Sequence, residues 1–295
     1  MPGPVSLFPA PLAPTLALAP VGRHEVCLGA FQRAASAVVA GPTPLTRRLS
    51  GGPALWLAPS TLHLQLRLPH AAALVADADL PRLLNRHVRP LLRALRSLDP
   101  RASHGGRDWV TLGHRPAAWL GLAHDAASGA CLVEAFLPCD ESFALPAGLD
   151  AYPPRQVPAW LGHAPASLAA VAGRPVDPAA LAAAVARAFS ALAPDGVLAP
   201  GPAPARPDAA DHRPPWQRLR EEAIGFVGAG SDPPELGGDL FASLDLIAAI
   251  NARLADRAPR SPDEARALLS AALDEVPGGA IEGVRYAESL VAVLA

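Results

Sequence analysis

An α+β fold with a sheet flanked by helices is predicted by three stretches of this sequence. From Thr61 to Leu68, Leu62, Leu64, Leu66 and Leu68 alternate with Thr61, His63, Gln65 and Arg67, the period of a strand with one buried face. Leu80, Leu83, Leu84, Val88, Leu91, Leu92, Leu95 and Leu98 then form the stripe of an amphipathic helix, opened by Asp79 as N-cap and Pro81 in its first turn. Asp108–Leu112, Ala118–Ala123 and Ala130–Leu137 follow as three extended stretches of a meander. Strands, a helix and more strands make layered α+β packing the expected arrangement.

In chain order, residues 1–20 are apolar but interrupted by prolines at 2, 4, 9, 11, 14 and 20 and have no basic start. They read as a flexible extension, not a signal peptide or a membrane span. His24–Arg33 reads as a short strand carrying Val26 and Leu28, ending in a turn at Gly29, and Val38, Val39 and Leu45 continue extended towards Arg47. Pro90 is expected to kink the first helix near Arg86. Gly105-Gly106 marks a turn and Asp125–Gly129 a hairpin loop. Asp177-Pro178 opens a second helix with Leu181, Val185, Phe189 and Leu192 on one face.

Residues 194–215 are rich in Pro, Ala and Gly with little to bury, so a linker is expected there between a first domain, 21–193, and a second, 216–295. In the second domain Ala223–Gly230 reads as a strand and Gly237-Gly238-Asp239 as a turn. Ser243 opens a helix with Leu246, Ile247, Ile250 and Leu254, Ser261-Pro262-Asp263-Glu264 forms a capping box for a helix through Leu273, and 287–294 is a last helical segment. This is a small α+β unit.

With 295 residues, 51% of them hydrophobic, there is enough apolar side chain for real cores. A formal net charge of -2 gives no electrostatic reason to expect nucleic acid or a membrane surface as partner. Cys27, Cys131 and Cys139 are too few for a disulfide framework, which fits a reducing compartment, and the cytoplasm is the expected location. All 25 residues counted as Lys or Arg are arginine. Where a reaction needs an amine, guanidinium is no substitute.

The most distinctive segment is Arg47-Arg48-Leu49-Ser50-Gly51-Gly52, just before the alternating strand. Two guanidinium forks beside two glycines fit an anion seat. Locally, a solvated basic pair followed by a turn fits equally well. His104, His114 and His124 recur near Cys131, Cys139 and Asp140, but their spacing matches no close-pair zinc pattern. No basic group stands beside Cys131 or Cys139 to activate either thiol, so both read as structural. Glu134 reads either as a pocket-lining carboxylate or as an outward-facing one, and Trp56, Trp119 and Phe136 as pocket or core wall.

Taken in order, these segments resemble the lipoate-protein ligase A family of the biotin and lipoate ligase superfamily. Arg47, Arg48, Ser50, Gly51, Gly52, Ala54 and Leu55 fall on its Arg-Arg-x-Ser-Gly-Gly-Gly-Ala-Val segment, and Leu28-Gly29-Ala30-Phe31-Gln32 is similar to its Ile-Gly-x-x-Gln strand end. Gly106-Arg107-Asp108 resembles its Gly-Arg-Asn-Asp turn and Gly121-Leu122-Ala123 its Gly-x-Ala. Ile224-Gly225-Phe226 and Gly238-Asp239-Leu240-Phe241 resemble its small C-terminal accessory domain.

The resemblance implies a class II synthetase-like mixed sheet flanked by helices and an acyl-adenylate pocket. Gln32, Arg47, Arg48, Ser50, Gly51, Gly52, Arg107, Asp108, Gly121 and Ala123 would bind ligand, with Arg48 at the adenylate. It implies ATP and Mg as cofactors, lipoate or octanoate as substrate, a lipoyl-type carrier domain as partner, and a monomer.

Several residues depart from the pattern. The third glycine is Pro53, the His-Asp after the motif is Leu57-Ala58, the strand asparagines are Thr61 and His63, and the lysine position three before Gly121 is Ala118. Arg115 or His114 is the nearest substitute for that lysine. Two functions follow: an ATP-dependent ligase, or a catalytically degenerate homologue that binds ligand or carrier without ligation.

Overall fold

The computed structural model describes residues 10–36, 43–105, 108–146, 164–209, 214, 216–222, 225–231, 234–282 and 286–295. Expectations that involve Val38, Val39, Gly106, Arg107, Ala223 or Ile224 fall outside these.

Strands β1 (Thr15–Pro20), β2 (Glu25–Leu28), β3 (Leu45–Arg47), β4 (Leu55–Leu57) and β5 (Leu62–Leu68) precede the first helix, α1 (Leu83–Leu95). The strands β6 (Ser103–His104), β7 (Trp109–Leu112), β8 (Arg115–His124) and β9 (Cys131–Leu137) follow it. The main sheet is mixed and seven-stranded, in the order β10-β1-β5-β9-β8-β7-β6, with β10 the two residues Ala199–Pro200. Its β7–β8 hairpin closes through Gly113 and His114 with φ of 55° and 64°, left-handed at both positions as a two-residue turn requires.

Helices α1, α2 (Leu168–Ala172) and α3 (Pro178–Ser190) pack on this sheet. Asp79 accepts the Arg82 amide at 3.0 Å before the helix, and α1 runs through Pro90 as one element. The caps of α2 and α3 are Ser167 and Asp177, the second followed by Pro178 as its sequence predicts. Leu62, Leu64, Leu66 and Leu68 share one core with Leu83, Leu91, Leu95, Leu181, Val185 and Phe189.

Against the expectation of a half-buried strand, the opposite face of β5 is also covered, with His63 and Gln65 buried. Glu134 of β9, itself bonded to Ser50 in the loop after β3, and Arg206 of a later segment cover it, which is why the pattern alternates in polarity but not in exposure.

Two stretches expected to be loose are built into the fold. Within 1–20, β1 pairs with β5 from Thr15↔Arg67 to Pro20↔Leu62 and brings Leu16 into the core. In 194–215, Ala199 and Pro200 pair in parallel with Thr15 and Leu16, and the Gly201 amide donates to Leu16 O. Farther along, Arg47 N–H donates to Pro207 O and Ala209 N–H to Leu45 O, so residues 199–209 form a strap along β1 and β3. Proline and alanine suit this extended path over the surface, and composition alone could not reveal its anchor.

The C-terminal unit has strands β11 (Arg218–Glu222), β12 (Gly225–Ser231) and β13 (Pro234–Gly238) in a meander, then β14 (Phe241–Ala242), α4 (Leu244–Asp256), α5 (Pro262–Glu275), β15 (Ile281–Glu282), a π-helical turn at Tyr286–Leu290 and α6 (Val291–Leu294). Its core gathers Val227, Leu236, Leu246, Ile250, Leu254, Leu269 and Val291. Ser261 caps α5 by accepting the Glu264 amide at 3.2 Å.

Candidate functional site

The Arg-Arg-Gly-Gly segment leaves β3 as a tight loop facing β8 and β9, and both arginines turn inward. One Nη of Arg47 donates to the carbonyls of Gly29, Ala30 and Gln32, so this side chain fastens the loop after β2. Arg48 is 1% exposed. Its guanidinium donates to Gly51 O at 3.2 and 2.7 Å, to Cys27 O at 3.0 Å and to Pro53 O at 2.7 Å. The Trp119 ring lies beneath it, 4.0 Å from centroid to Cζ. Burial pulls the Arg48 pKa below its ordinary value, with Cys27, Glu134 and Asp239 opposing. Where the resemblance puts Arg48 on an adenylate phosphate, the structure has it bound to backbone carbonyls.

The two glycines are equally engaged. A Cβ on Gly51 would lie 1.6 Å from Leu240 O, and one on Gly52 would lie 2.7 Å from Trp119 Cζ2 and 2.9 Å from Phe241 Cε1. Gly52 has φ 89° and its amide donates to Leu240 O. The backbone of both glycines meets the C-terminal unit. Gly121, across the loop, would place a Cβ 2.1 Å from Trp119 Cη2 and 2.7 Å from Ser50 Oγ.

Strand register decides what position 118 faces. Trp119, Gly121 and Ala123 pair with Phe136, Glu134 and Leu132 and share the loop-facing side. Ala118 pairs with Val110, is fully buried, and by alternation lies on the other side with Leu120 and Leu122. The side chain pressed against the glycines is therefore Trp119. Its ring also contacts Phe136 and Phe241. The Arg115 substitute is directed elsewhere, donating to Ala164 O and Pro165 O, and His114 is exposed in its turn.

Next to this packing lies a buried polar chain. Glu134 is neither pocket-lining nor outward-facing: it is fully buried and accepts from Ser50 N at 2.8 Å, His63 Nε2 at 2.9 Å and Gln65 Nε2 at 2.7 Å. Burial alone would raise its pKa, but these donors overcome it and hold the carboxyl below the usual range. His63 Nδ1 is 2.8 Å from Nη1 of Arg206, in the strap. Guanidinium only donates, so Nδ1 accepts, Nε2 carries the hydrogen given to Glu134, and His63 is neutral. Burial lowers the His63 pKa, with Arg206 and Arg48 adding to that and Glu134 opposing it. Arg206 also bonds Glu25, a buried carboxylate that accepts from Thr46 Oγ1 at 3.0 Å and Arg23 Nε at 2.9 Å.

Of the remaining expected site residues, Gln32 bridges the two units. It accepts the Gly29 amide at 2.8 Å and donates to Asp239 Oδ1 at 2.7 Å, while Asp239 Oδ2 accepts the Phe226 amide at 2.9 Å. Arg33 beside it is fully buried, stacked 4.2 Å over Trp216 and paired with Glu235 at 3.0 Å. Ser50 Oγ and Trp119 Nε1 are buried without a hydrogen-bond partner. Asp108 is buried, with its carbonyl accepting Leu120 N–H, and Arg107 lies outside the described residues. Ala123 packs with Ala130, Leu132 and Leu244.

Arg33, Glu25 and Arg206 carry no motif, and only the rarity of buried charge marks them once the fold is known. Cys27, Cys131 and Cys139 are free and buried, and burial pushes the latter two up to about 12, which leaves them inert as nucleophiles. Among the described residues no group of three or more His, Cys, Asp or Glu is placed to hold a metal, and no helix is long and apolar enough to cross a membrane.

No family profile matches the chain, and no curated protein matches it by sequence. Solved structures do match by shape. P. falciparum LipL1 in complex with lipoate aligns at TM-score 0.59 and 11% identity, over 95% of this chain and 86% of that one. A lipoate-protein ligase A bound with ATP aligns at 0.46 and 16%, over 66% and 78%, and the bipartite lipoate protein ligase of Thermoplasma acidophilum at 0.48 and 19%, over 63% and 73%. The LipL1 alignment spans nearly the whole of this chain, main sheet and C-terminal unit together, and the fold is lipoate-ligase-like.

Proposed function

We propose that this chain is a lipoate-ligase-like protein that does not form an acyl-adenylate and acts by recognising a lipoyl-type carrier domain. The observation that carries this reading is the engagement of Arg48: its guanidinium is bound to the carbonyls of Cys27, Gly51 and Pro53 and stacked on Trp119. Adenylate formation needs fixed positive charge where charge develops, and losing one such group typically costs about 10²–10³ in rate. Here the sequence supplies no lysine and the motif arginines face carbonyls. Among the described residues, Arg47 and Arg48 are committed to backbone carbonyls and do not fit ATP phosphates. Beside the motif glycines the chain's own Trp119 packs with Phe136 and Phe241. On this reading the chain meets a lipoyl-type carrier domain and leaves the ligation chemistry aside.

A second reading, binding of the acyl ligand without chemistry, draws support from Ser50 Oγ and Trp119 Nε1, two buried polar atoms without partners beside Gly121 and Gly52.

The test is to incubate the protein with ATP, lipoate or octanoate and an apo lipoyl domain, follow the carrier's mass, and titrate the same carrier calorimetrically without ATP. Unchanged mass with saturable heat is the expected result. A mass gain in the unmodified chain overturns it. Thermal stabilisation by a non-hydrolysable acyl-adenylate analogue, with no heat from the carrier, would select the second reading.

A further inference from the structure

Helix α1 carries Arg86, Arg89 and Arg93, with Arg82 and Arg96 at its two caps. Steps of four, three, four and three residues separate them, which turns all of these side chains to within about 80° of one another around the helix axis. They form one stripe, on the far side of the helix from the buried Leu83, Leu91 and Leu95. From Leu80 to Leu98 the sequence has no acidic residue to interrupt it.

The first part of the stripe is neutralised and the rest is not. Arg82 Nε lies 3.6 Å from the Asp79 carboxylate, and Arg86 Nη2 lies 2.7 Å from that of Asp77. Arg89, Arg93 and Arg96 are exposed, and among the described residues none of them meets a carboxylate. Arg93 Nη2 donates to Ala188 O of α3 at 3.3 Å. On the helices of the C-terminal unit, by contrast, Arg253, Arg257 and Arg266 bond Glu275, Glu264 and Asp263. Like charges three and four residues apart repel and weaken the helix that carries them, a cost that an anionic partner removes.

We propose that Arg89, Arg93 and Arg96 form a docking surface for an acidic segment of a partner protein, whose carboxylates the guanidinium forks take up in pairs of N–H bonds. The unpaired stretch covers about 10 Å of helix, which suits a few carboxylates. A nucleic acid calls for a longer track of cations, and the net charge of -2 supplies no wider field to hold one. A membrane calls for an apolar face to insert, and that of α1 is buried in the core. The helix packs on the leucine side of β5, away from the Arg-Arg-Gly-Gly loop, so the surface goes beyond the carrier reading and does not depend on it.

The probe is a fluorescently labelled oligoglutamate peptide, read by anisotropy against the full chain, with single-stranded DNA and phosphatidylserine vesicles titrated in parallel. The expected result is saturable peptide binding that weakens with salt and falls about tenfold in Arg89→Gln/Arg93→Gln/Arg96→Gln. Glutamine is a good helix former on an exposed face, so that variant should keep its circular dichroism and its Tm. Arg253→Gln/Arg257→Gln/Arg266→Gln removes the same charge from arginines already paired and should leave peptide binding unchanged. Absence of saturable peptide binding, an equal loss in the two triple variants, or tighter binding of DNA or vesicles than of the peptide overturns the proposal.

Discussion

The guanidinium of Arg48 lies 4.0 Å over the ring of Trp119, and the two close the loop-facing side of the sheet from within. Both are buried, and three carbonyls depend on Arg48 for donors. Trp119→Ala is therefore expected to destabilise the fold by about 3–5 kcal/mol, as loss of a large core aromatic does. Arg48→Ala should cost about 3 kcal/mol or more by leaving buried acceptors unpaired. Urea unfolding of each variant gives the measurement. A loss under about 1 kcal/mol for Arg48→Ala would mark it as a ligand contact and not a structural one.

Gly51 and Gly105 offer a matched comparison. A Cβ at Gly51 meets the Leu240 carbonyl, whereas one at Gly105 meets nothing within 4 Å. Gly51→Ala is expected to lose about 1–3 kcal/mol or more by forcing the C-terminal unit away from the loop, with Gly105→Ala close to neutral. Thermal denaturation of the pair reads the difference. Equal effects would mean that the glycines do not set the contact between the two units.

Acid should weaken the protein in two windows. The pKa values of His63, His87 and His124 are lowered from 6.5, burial being the largest cause in each. Below 6.5 the unfolded chain binds protons that the folded chain does not, so stability is full above that pH and falls as pH drops through the folded values. Glu134, lowered from 4.5, adds a second loss that begins at that pH and deepens as pH falls further. Unfolding free energies across pH 4 to 8, about one unit apart, should show the first loss, and His63→Gln should flatten part of it. An unchanged slope in that variant would remove His63 as a source.

Arg33 joins the two units through Trp216 and Glu235. Truncating one partner of a buried pair typically costs about 3–5 kcal/mol. Arg33→Ala is expected to split calorimetric unfolding into two transitions, the C-terminal unit no longer melting with the rest. A single transition merely shifted in temperature would show that Gln32–Asp239 and Leu240–Gly52 suffice to couple them.

Much of the architecture was readable because it rests on local rules. The leucines of 62–68, the Asp177-Pro178 and Ser261-Pro262 helix starts and the Asp125–Gly129 turn need only period, cap and turn chemistry, and each is found where the sequence placed it. α2 escaped notice because five residues of Leu, Ala and Val carry too little periodicity. Ser243 occupies its N-cap position, yet its hydroxyl bonds His124 and the Ala280 amide, contacts invisible until distant segments meet.

The site divides in the same way. Its segments were legible as an ordered series, but what each side chain touches depends on register and on long-range packing. Ala118 drew attention as a missing lysine, while Trp119, one residue on, is the group that faces the glycines. Arg206 sits amid Pro and Ala and gave no local sign of its burial.

Strand β1 leaves one practical consequence. Its six residues cover β5 along one side, while β9 covers the other. A shortened chain starting at Val21 would expose Leu62–Leu68 as a bare, leucine-rich edge able to template pairing between molecules. The expected behaviour of such a truncation is aggregation on expression, and a soluble product will need Thr15–Pro20 kept in place.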